Sequence, residues 1–197
     1  MGNIRIVGGS LGGRRLKAPA GDATRPTSDR VREAIASVLA ARDMIDDARV
    51  LDLYAGSGAL GFELLSRGAR NVLFVERDPK VARIIRDNAS ELAVDARSEV
   101  LCEDVTKTRG EDAILARGPF TLVLADPPYR DIQRAVDAIA RMVARGVLDP
   151  DACLLLEHGS KGAPVLPSEF VVLSSYRYGD TTVVLCGATP LVAGAGS

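Results

Sequence analysis

Val50-Leu51-Asp52-Leu53-Tyr54, running into Ala55-Gly56-Ser57-Gly58-Ala59-Leu60-Gly61, decides the fold. The first five residues read as a short buried strand. Gly56-Ser57-Gly58 then turns the chain into a helix from Ala59 to Ser66, stopped by Gly68. Working outward, Asn71 to Glu76 is a second strand. Pro79 suits a first helical turn, and Val81, Ile84, Ile85 and Leu92 follow at helical spacing. Ser98 to Cys102 is a third strand. Phe120 to Ala125 is a fourth and ends at Asp126. A helix is predicted from Ile132 to Ala144, and Cys153 to Glu157 is a fifth strand. Phe170 to Tyr176 and Thr182 to Cys186 read as a closing antiparallel pair around Tyr178-Gly179-Asp180. Strand-helix alternation with continuous apolar strands implies a Rossmann-like α/β fold. The expected sheet is seven-stranded and mostly parallel, with an antiparallel last strand. Ligands of such sheets bind beyond the carboxyl ends of the strands. Three chemically interesting segments fall there, after the first, second and fourth strands.

Residues 1–25 differ from this pattern. Gly8-Gly9, Gly12-Gly13 and Gly21 break up short apolar pieces, as expected of a small hairpin or arm. Thr27-Ser28-Asp29 looks like a helix start, with Val31, Ala34, Ile35, Val38 and Leu39 on one face. The organisation read from the sequence is a basic arm or hairpin over 1–25, a main domain over 26–189 and a flexible tail over 190–197. The net charge of −1 is unevenly spread: residues 1–42 hold eight basic and three acidic groups. A basic end on a mildly acidic body suggests a polyanionic partner, or simply a solvated terminus.

Three scattered cysteines, Cys102, Cys153 and Cys186, and one histidine, His158, offer no zinc pattern, so no metal site is expected. The thiols fit a reducing cytoplasm. No signal peptide, myristoylation signal or membrane-spanning run is read, and nothing points to an obligate dimer, so a cytoplasmic monomer is expected.

Gly56-Ser57-Gly58-Ala59-Leu60-Gly61 satisfies GxGxxG, and Glu76 closes the next strand about 20 residues on, which is also the NAD fingerprint. Both ligands contain adenosine, so the glycines and the ribose-binding carboxylate follow the same physics. The surroundings discriminate. Asp52 lies inside the strand, where a carboxylate is costly unless paired. The ammonium of S-adenosylmethionine would pair with it. Glu103-Asp104-Val105 follows the third strand, where an acidic group could accept from the adenine amino group and a backbone amide could serve the ring. The bland alternative has Asp52 capping a turn and Asp104 capping a helix. The donor-site candidates are Asp52, Tyr54, Ala55, Gly56, Ser57, Gly58, Glu76, Arg77, Asp104 and Val105.

Asp126-Pro127-Pro128-Tyr129 is the sharper signal. Two prolines after a strand make a stiff, extended exit. An exocyclic amino nitrogen on a base is a poor nucleophile because its lone pair is delocalised into the ring. The Asp126 carboxylate and the Pro127 carbonyl can hold its two hydrogens and direct the lone pair at a methyl group. Tyr129 supplies a ring on which an unpaired or flipped base can stack. The catalytic candidates are Asp126, Pro127 and Tyr129; the alternative is a stiff turn that ends in Tyr. His158, after the fifth strand, reads as a satisfied histidine more readily than as a general base.

Taken together, Arg5-Ile6-Val7-Gly8-Gly9, Gly13-Arg14-Arg15-Leu16, the segment from Thr24 to Ala34, the glycine loop, Val75-Glu76-Arg77-Asp78 and Asp126 to Tyr129 resemble a known family. It is the bacterial small-subunit ribosomal RNA (guanine-N2)-methyltransferases of the methyltransferase D type. The likeness spans nearly the whole chain, and Arg25 to Glu33 is its most specific part. One departure is Ala36-Ser37, where the family usually has an aromatic residue and Asn. The resemblance implies a class I methyltransferase fold. It also implies S-adenosylmethionine as cofactor and methylation of one guanine N2 in 16S ribosomal RNA of the assembled or assembling small subunit. It makes Arg5, Arg14, Arg15, Lys17, Arg25, Arg30 and Arg32 candidates for phosphate contacts, with Arg30 or Arg32 alternatively pairing with Asp29 or Glu33. Few aromatic residues (4%) imply that backbone shape shares in recognition. Two other readings stand beside it: a DNA- or protein-directed amino-methyltransferase with the same motif, and an NAD-dependent oxidoreductase. No target-recognition domain or hydride-transfer partner is visible for either.

Overall fold

The computed structural model describes residues 4–19, 29–160, 162–168 and 170–188. Arg25 and the start of the expected first helix, Thr27-Ser28, lie outside them, as does the tail from residue 190. Packing divides the chain into two compact units, 1–104 and 105–197.

In the first unit, β1 (Ile4–Arg5) and β2 (Arg15–Leu16) form an antiparallel hairpin, pairing Ile4 with Leu16 and Arg5 with Arg15. Helix α1 (Asp29–Ala40) buries Arg32, Ile35, Ala36 and Leu39. The expected face is therefore rotated: Val31, Ala34 and Val38 are only half-buried. The reason is electrostatic. The Arg32 guanidinium is drawn inward to the Asp29 carboxylate at 2.8 Å and the Arg5 carbonyl at 2.6 Å. The small Ala36 lies fully buried beside it in sequence register.

The remainder of this unit alternates β3 (Arg49–Leu53), α2 (Ala59–Ser66), β4 (Asn71–Val75), α3 (Pro79–Leu92) and β5 (Ser98–Leu101). The three strands are parallel, in register Leu51 to Leu73 and Leu73 to Glu99. β3 and β4 are buried along nearly their whole length, as strands covered on both faces must be. Phe62 of α2 packs against Phe74 of β4 with ring centroids 4.7 Å apart. Helix α3 starts where Asp78 caps it, accepting from the N–H groups of Lys80 and Val81, with Pro79 in the first turn.

The second unit holds α4 (Thr108–Leu115), β6 (Phe120–Ala125), α5 (Ile132–Ala144), β7 (Leu148–Gly159), β8 (Phe170–Tyr178) and β9 (Thr181–Ala188). β6 and β7 are parallel, while β9 runs antiparallel to both β7 and β8. Strand β7 begins five residues before the expected Cys153. Leu148 pairs with Phe120, and the register shifts before Leu122 meets Cys153. Pro150, which has no N–H to donate, falls in that irregular stretch. The larger sheet has seven strands in the order β5-β4-β3-β6-β7-β9-β8, mostly parallel, alongside the separate two-stranded hairpin. This is the expected Rossmann-like α/β architecture with its antiparallel closing strands.

Candidate functional site

The glycine loop leaves the carboxyl end of β3 and enters α2. Three of its five residues take left-handed backbone: Tyr54 at φ 59°, Gly56 at 56° and Gly58 at 76°. For Tyr54 this is a strained conformation of the kind that concentrates at ligand sites. Glycine is required at two positions. A Cβ on Gly58 would lie 2.7 Å from Cε2 of Phe62. One on Gly61 would lie 2.4 Å from Cε1 of Phe74 and 2.8 Å from Oδ2 of Asp52. The close packing of strand and helix thus needs both.

Asp52 is buried, and its Oδ2 accepts from the Gly61 N–H at 3.2 Å. Its carboxylate therefore faces the amino-terminal turn of α2, where the helix dipole favours negative charge. Glu76, half-buried after β4, bridges two segments. Oε2 accepts from the Gly56 N–H at 3.1 Å and Oε1 from the Asp78 N–H at 2.9 Å. A carboxylate has about four acceptor sites, so each oxygen keeps acceptor capacity beyond these two bonds. Ala55 is fixed by donating to the Val75 carbonyl at 3.1 Å, and Gly58 by donating to the Ala55 carbonyl at 2.7 Å. Ser57 is held through its own carbonyl, which accepts from Asn88 at 3.2 Å. Arg77 is exposed and Asp104 half-buried, both in the first unit; Val105 opens the second and is buried.

In the second unit, Asp126 follows β6 directly and is exposed, Pro127 is buried, and Tyr129 is 44% exposed. The turn closes through the Pro128 carbonyl, which accepts from the Asp131 N–H at 2.8 Å. The Tyr129 hydroxyl lies 3.1 Å from that of Thr181 at the start of β9. His158 is buried, its Nδ1 2.7 Å from the Gly159 carbonyl, the arrangement of a satisfied histidine. Among the described residues no cluster of metal-ligating side chains occurs. No helix of the described chain is long and apolar enough to cross a membrane.

The basic residues divide into three groups. Arg15 and Arg30 are exposed. Arg5, Arg14 and Lys17 are exposed but engaged. Arg5 lies 3.5 Å from Asp29, Arg14 donates to the Glu91 carbonyl at 2.6 Å, and Lys17 pairs with the Glu91 carboxylate, which pushes its ammonium above the ordinary lysine value. Arg32, 2% exposed, takes the alternative role of partner to Asp29, inside the fold rather than on its surface. The sequence reading missed Asn88, Glu63, Ser66 and Thr181, the groups that hold the loop, the hairpin and the Tyr129 ring. A signal existed for two of them. Asn88 sits on the apolar face of α3 with Ile85 and Leu92, and Glu63 interrupts an otherwise apolar α2. A polar group on a buried face must have partners.

The family model described as "Conserved hypothetical protein 95" matches residues 4–187. Ribosomal RNA small subunit methyltransferase D of Escherichia coli (strain K12) is 36% identical over 174 residues, covering 86% of this chain and 82% of that one. The chain belongs to the methyltransferase D family. Among solved structures, the Escherichia coli protein yhhF superposes with a TM-score of 0.80 at 30% identity, covering 96% of this chain and 99% of that one. An RNA methyltransferase from Salinibacter ruber, in complex with S-adenosyl-L-homocysteine, matches with a TM-score of 0.61 over 83% of this chain and 94% of that one. At 17% identity that last likeness concerns the fold alone. Membership places the glycine loop and the Asp126 to Tyr129 segment in a family of methyltransferases, and leaves no support for the dehydrogenase reading of GxGxxG.

Proposed function

We propose that this methyltransferase transfers a methyl group from S-adenosylmethionine to the exocyclic N2 of one guanine in 16S ribosomal RNA, within the assembled or assembling small subunit. The observation that carries the reading is the Asp126-Pro127-Pro128-Tyr129 exit from β6, with an exposed carboxylate and an exposed aromatic ring on a stiff turn. The names of its relatives, small-subunit ribosomal RNA methyltransferases, support the RNA class.

The loop residues fit the donor. Asp52 offers a buried carboxylate for an ammonium, Glu76 retains acceptor capacity for ribose hydroxyls, and Asp104 and Val105 serve the adenine. The donor supplies a methyl group already activated on a sulfonium, so the protein has positioning to do. The Asp126 carboxylate and Pro127 carbonyl accept the two amino hydrogens of the guanine. This favours a pyramidal nitrogen and directs its lone pair outward. The Tyr129 ring stacks on the base and sets its plane. Once methylated, the nitrogen is acidic enough to release its proton to Asp126 or water without a dedicated base. Arg15 and Arg30, with Arg5, Arg14, Lys17 and Arg25, are the proposed phosphate contacts; Arg32 is not among them.

The test incubates the protein with labelled donor and either small subunits lacking the modification or duplex DNA, then maps the labelled nucleotide. N2-methylguanosine at a single ribosomal position is the expected product. Label in DNA, or on another atom of the RNA base, would replace this reading with the broader amino-methyltransferase one. A thermal shift with S-adenosylhomocysteine and none with NAD is expected of the protein alone.

A further inference from the structure

Asn88 lies on α3, 1% exposed, between two segments that the sequence keeps far apart. Its Oδ1 accepts from the Lys17 N–H at 2.8 Å. Its Nδ2 donates to the Lys17 carbonyl at 3.0 Å and to the Ser57 carbonyl at 3.2 Å. Only one orientation of the amide satisfies all three, because the flipped group would set oxygen against two carbonyls. The Ser57–Gly58 peptide is thereby held at both ends. Asn88 takes its carbonyl, and the Ala55 carbonyl takes its N–H at 2.7 Å.

Lys17, at the end of the hairpin, is a firm anchor. The fully buried Glu63 of α2 accepts from the N–H groups of Val7 at 2.6 Å and Gly8 at 2.9 Å, and from Arg67 at 2.8 Å. Ser66 donates to the Gly8 carbonyl at 2.5 Å and accepts from the Leu11 N–H at 2.8 Å. The hairpin is therefore docked on α2 and α3, the two helices that flank the glycine loop.

We propose that Asn88 is a positioning residue that sets the donor loop by tying Ser57 to Lys17, so that the N-terminal hairpin and the donor site respond to each other. This rests on the reading of the glycine loop as the S-adenosylmethionine site. Asn88 is buried, and its amide is engaged by Lys17 and Ser57. It acts through the loop backbone, because a loop whose peptide planes are fixed beforehand loses less freedom on binding. A purely structural asparagine would affect stability and leave donor affinity alone.

The test is calorimetric titration of S-adenosylhomocysteine into the full chain. Asn88→Asp keeps the shape and the acceptor but loses the donor that serves Ser57 and Lys17; Asn88→Ala removes all three bonds. Each folded variant should bind about tenfold more weakly, and the donor KM should rise while kcat at saturating donor stays within about twofold of the parent. Wild-type affinity in a folded variant overturns the proposal. A second measurement needs no variant. In the parent protein, S-adenosylhomocysteine should slow amide exchange at Lys17, followed by NMR, together with exchange at Gly56 and Gly58. Protection of the loop with no change at Lys17 overturns the proposal as well. If the parent binds no S-adenosylhomocysteine, the donor-site reading itself falls and this inference falls with it.

Discussion

The Tyr129 hydroxyl lies 3.1 Å from the Thr181 hydroxyl and so ties the exit of β6 to the first residue of β9. Thr181 is itself fixed, buried and paired with Gly159 on β7 and Tyr178 on β8. A ring proposed to carry a base is therefore braced by a sheet rather than free on its turn. Thr181→Val should lower kcat several-fold with S-adenosylhomocysteine affinity unchanged, and Tyr129→Phe should do the same. In a double-mutant cycle the two losses should not add, because both remove one bond. Tyr129→Ala should cost more, about tenfold to a hundredfold, since stacking is worth roughly 1–3 kcal/mol per base. Steady-state kinetics on the RNA substrate decides between these outcomes.

Asp126 is exposed directly after β6, so its removal leaves no cavity in the core. Asp126→Ala should abolish methyl transfer while calorimetric binding of S-adenosylhomocysteine persists. Near-normal turnover would sink the proposed role of the carboxylate in holding the amino hydrogens.

Glu63 is fully buried with two backbone donors and Arg67 on its carboxylate. In Glu63→Gln the amide nitrogen would face at least one of those N–H groups and leave it unsatisfied. Losing hydrogen bonds to a buried charge should cost about 2–4 kcal/mol. Urea unfolding should read this as a lower midpoint with an unchanged slope. A variant as stable as the parent would mean that the hairpin is not held by this carboxylate.

The parts of the fold that were legible in the sequence are those in which one residue type dictates one local state. Ala59 to Ser66 and Ile132 to Ala144 were bounded correctly because glycine and apolar periodicity mark them directly. Helix α4 was legible only as the alternative in which Asp104 caps a helix; it starts later, at Thr108 after Lys107. Thr108-Arg109-Gly110-Glu111 has little apolar periodicity, and the helix is held by distant charge: Arg141 reaches Glu111 at 2.5 Å and Arg145 reaches Asp112 at 2.6 Å. The same divide runs through the proposed site. Asp52, Glu76 and Asp126 announce themselves by type and place in a strand-loop pattern. Asn88 and Thr181 act through partners 31 and 52 residues away, which no local pattern encodes.

The Cys186 thiol is fully buried, and burial, with Cys153 beside it in the sheet, pushes its pKa up to about 11. The sign follows from linkage. Above the ordinary thiol pKa the unfolded chain loses this proton first and binds fewer protons than the native state, so stability falls as pH rises from about 9 towards 11. Cys186→Ala should flatten that part of the stability-against-pH curve. In the native protein iodoacetamide should label the exposed Cys102 and spare Cys153 and Cys186 until unfolding, as peptide mass mapping would show.

The hairpin cations should be separable by salt dependence. Arg15 is exposed, whereas Arg14 and Lys17 are already engaged with Glu91 on α3. Each cation that neutralises a phosphate contributes about 0.7–0.9 to the slope of log affinity against log salt. Arg15→Gln should therefore lower the slope by nearly a full contact. Arg14→Gln and Lys17→Gln should lower it less, because RNA must first compete with Glu91. Glu91→Gln frees Lys17 from its carboxylate partner and should steepen the slope. Filter binding of small-subunit RNA across a salt series measures all four. A slope unmoved by Arg15→Gln would remove the hairpin from the RNA interface and leave its docking on α2 and α3 as its whole role.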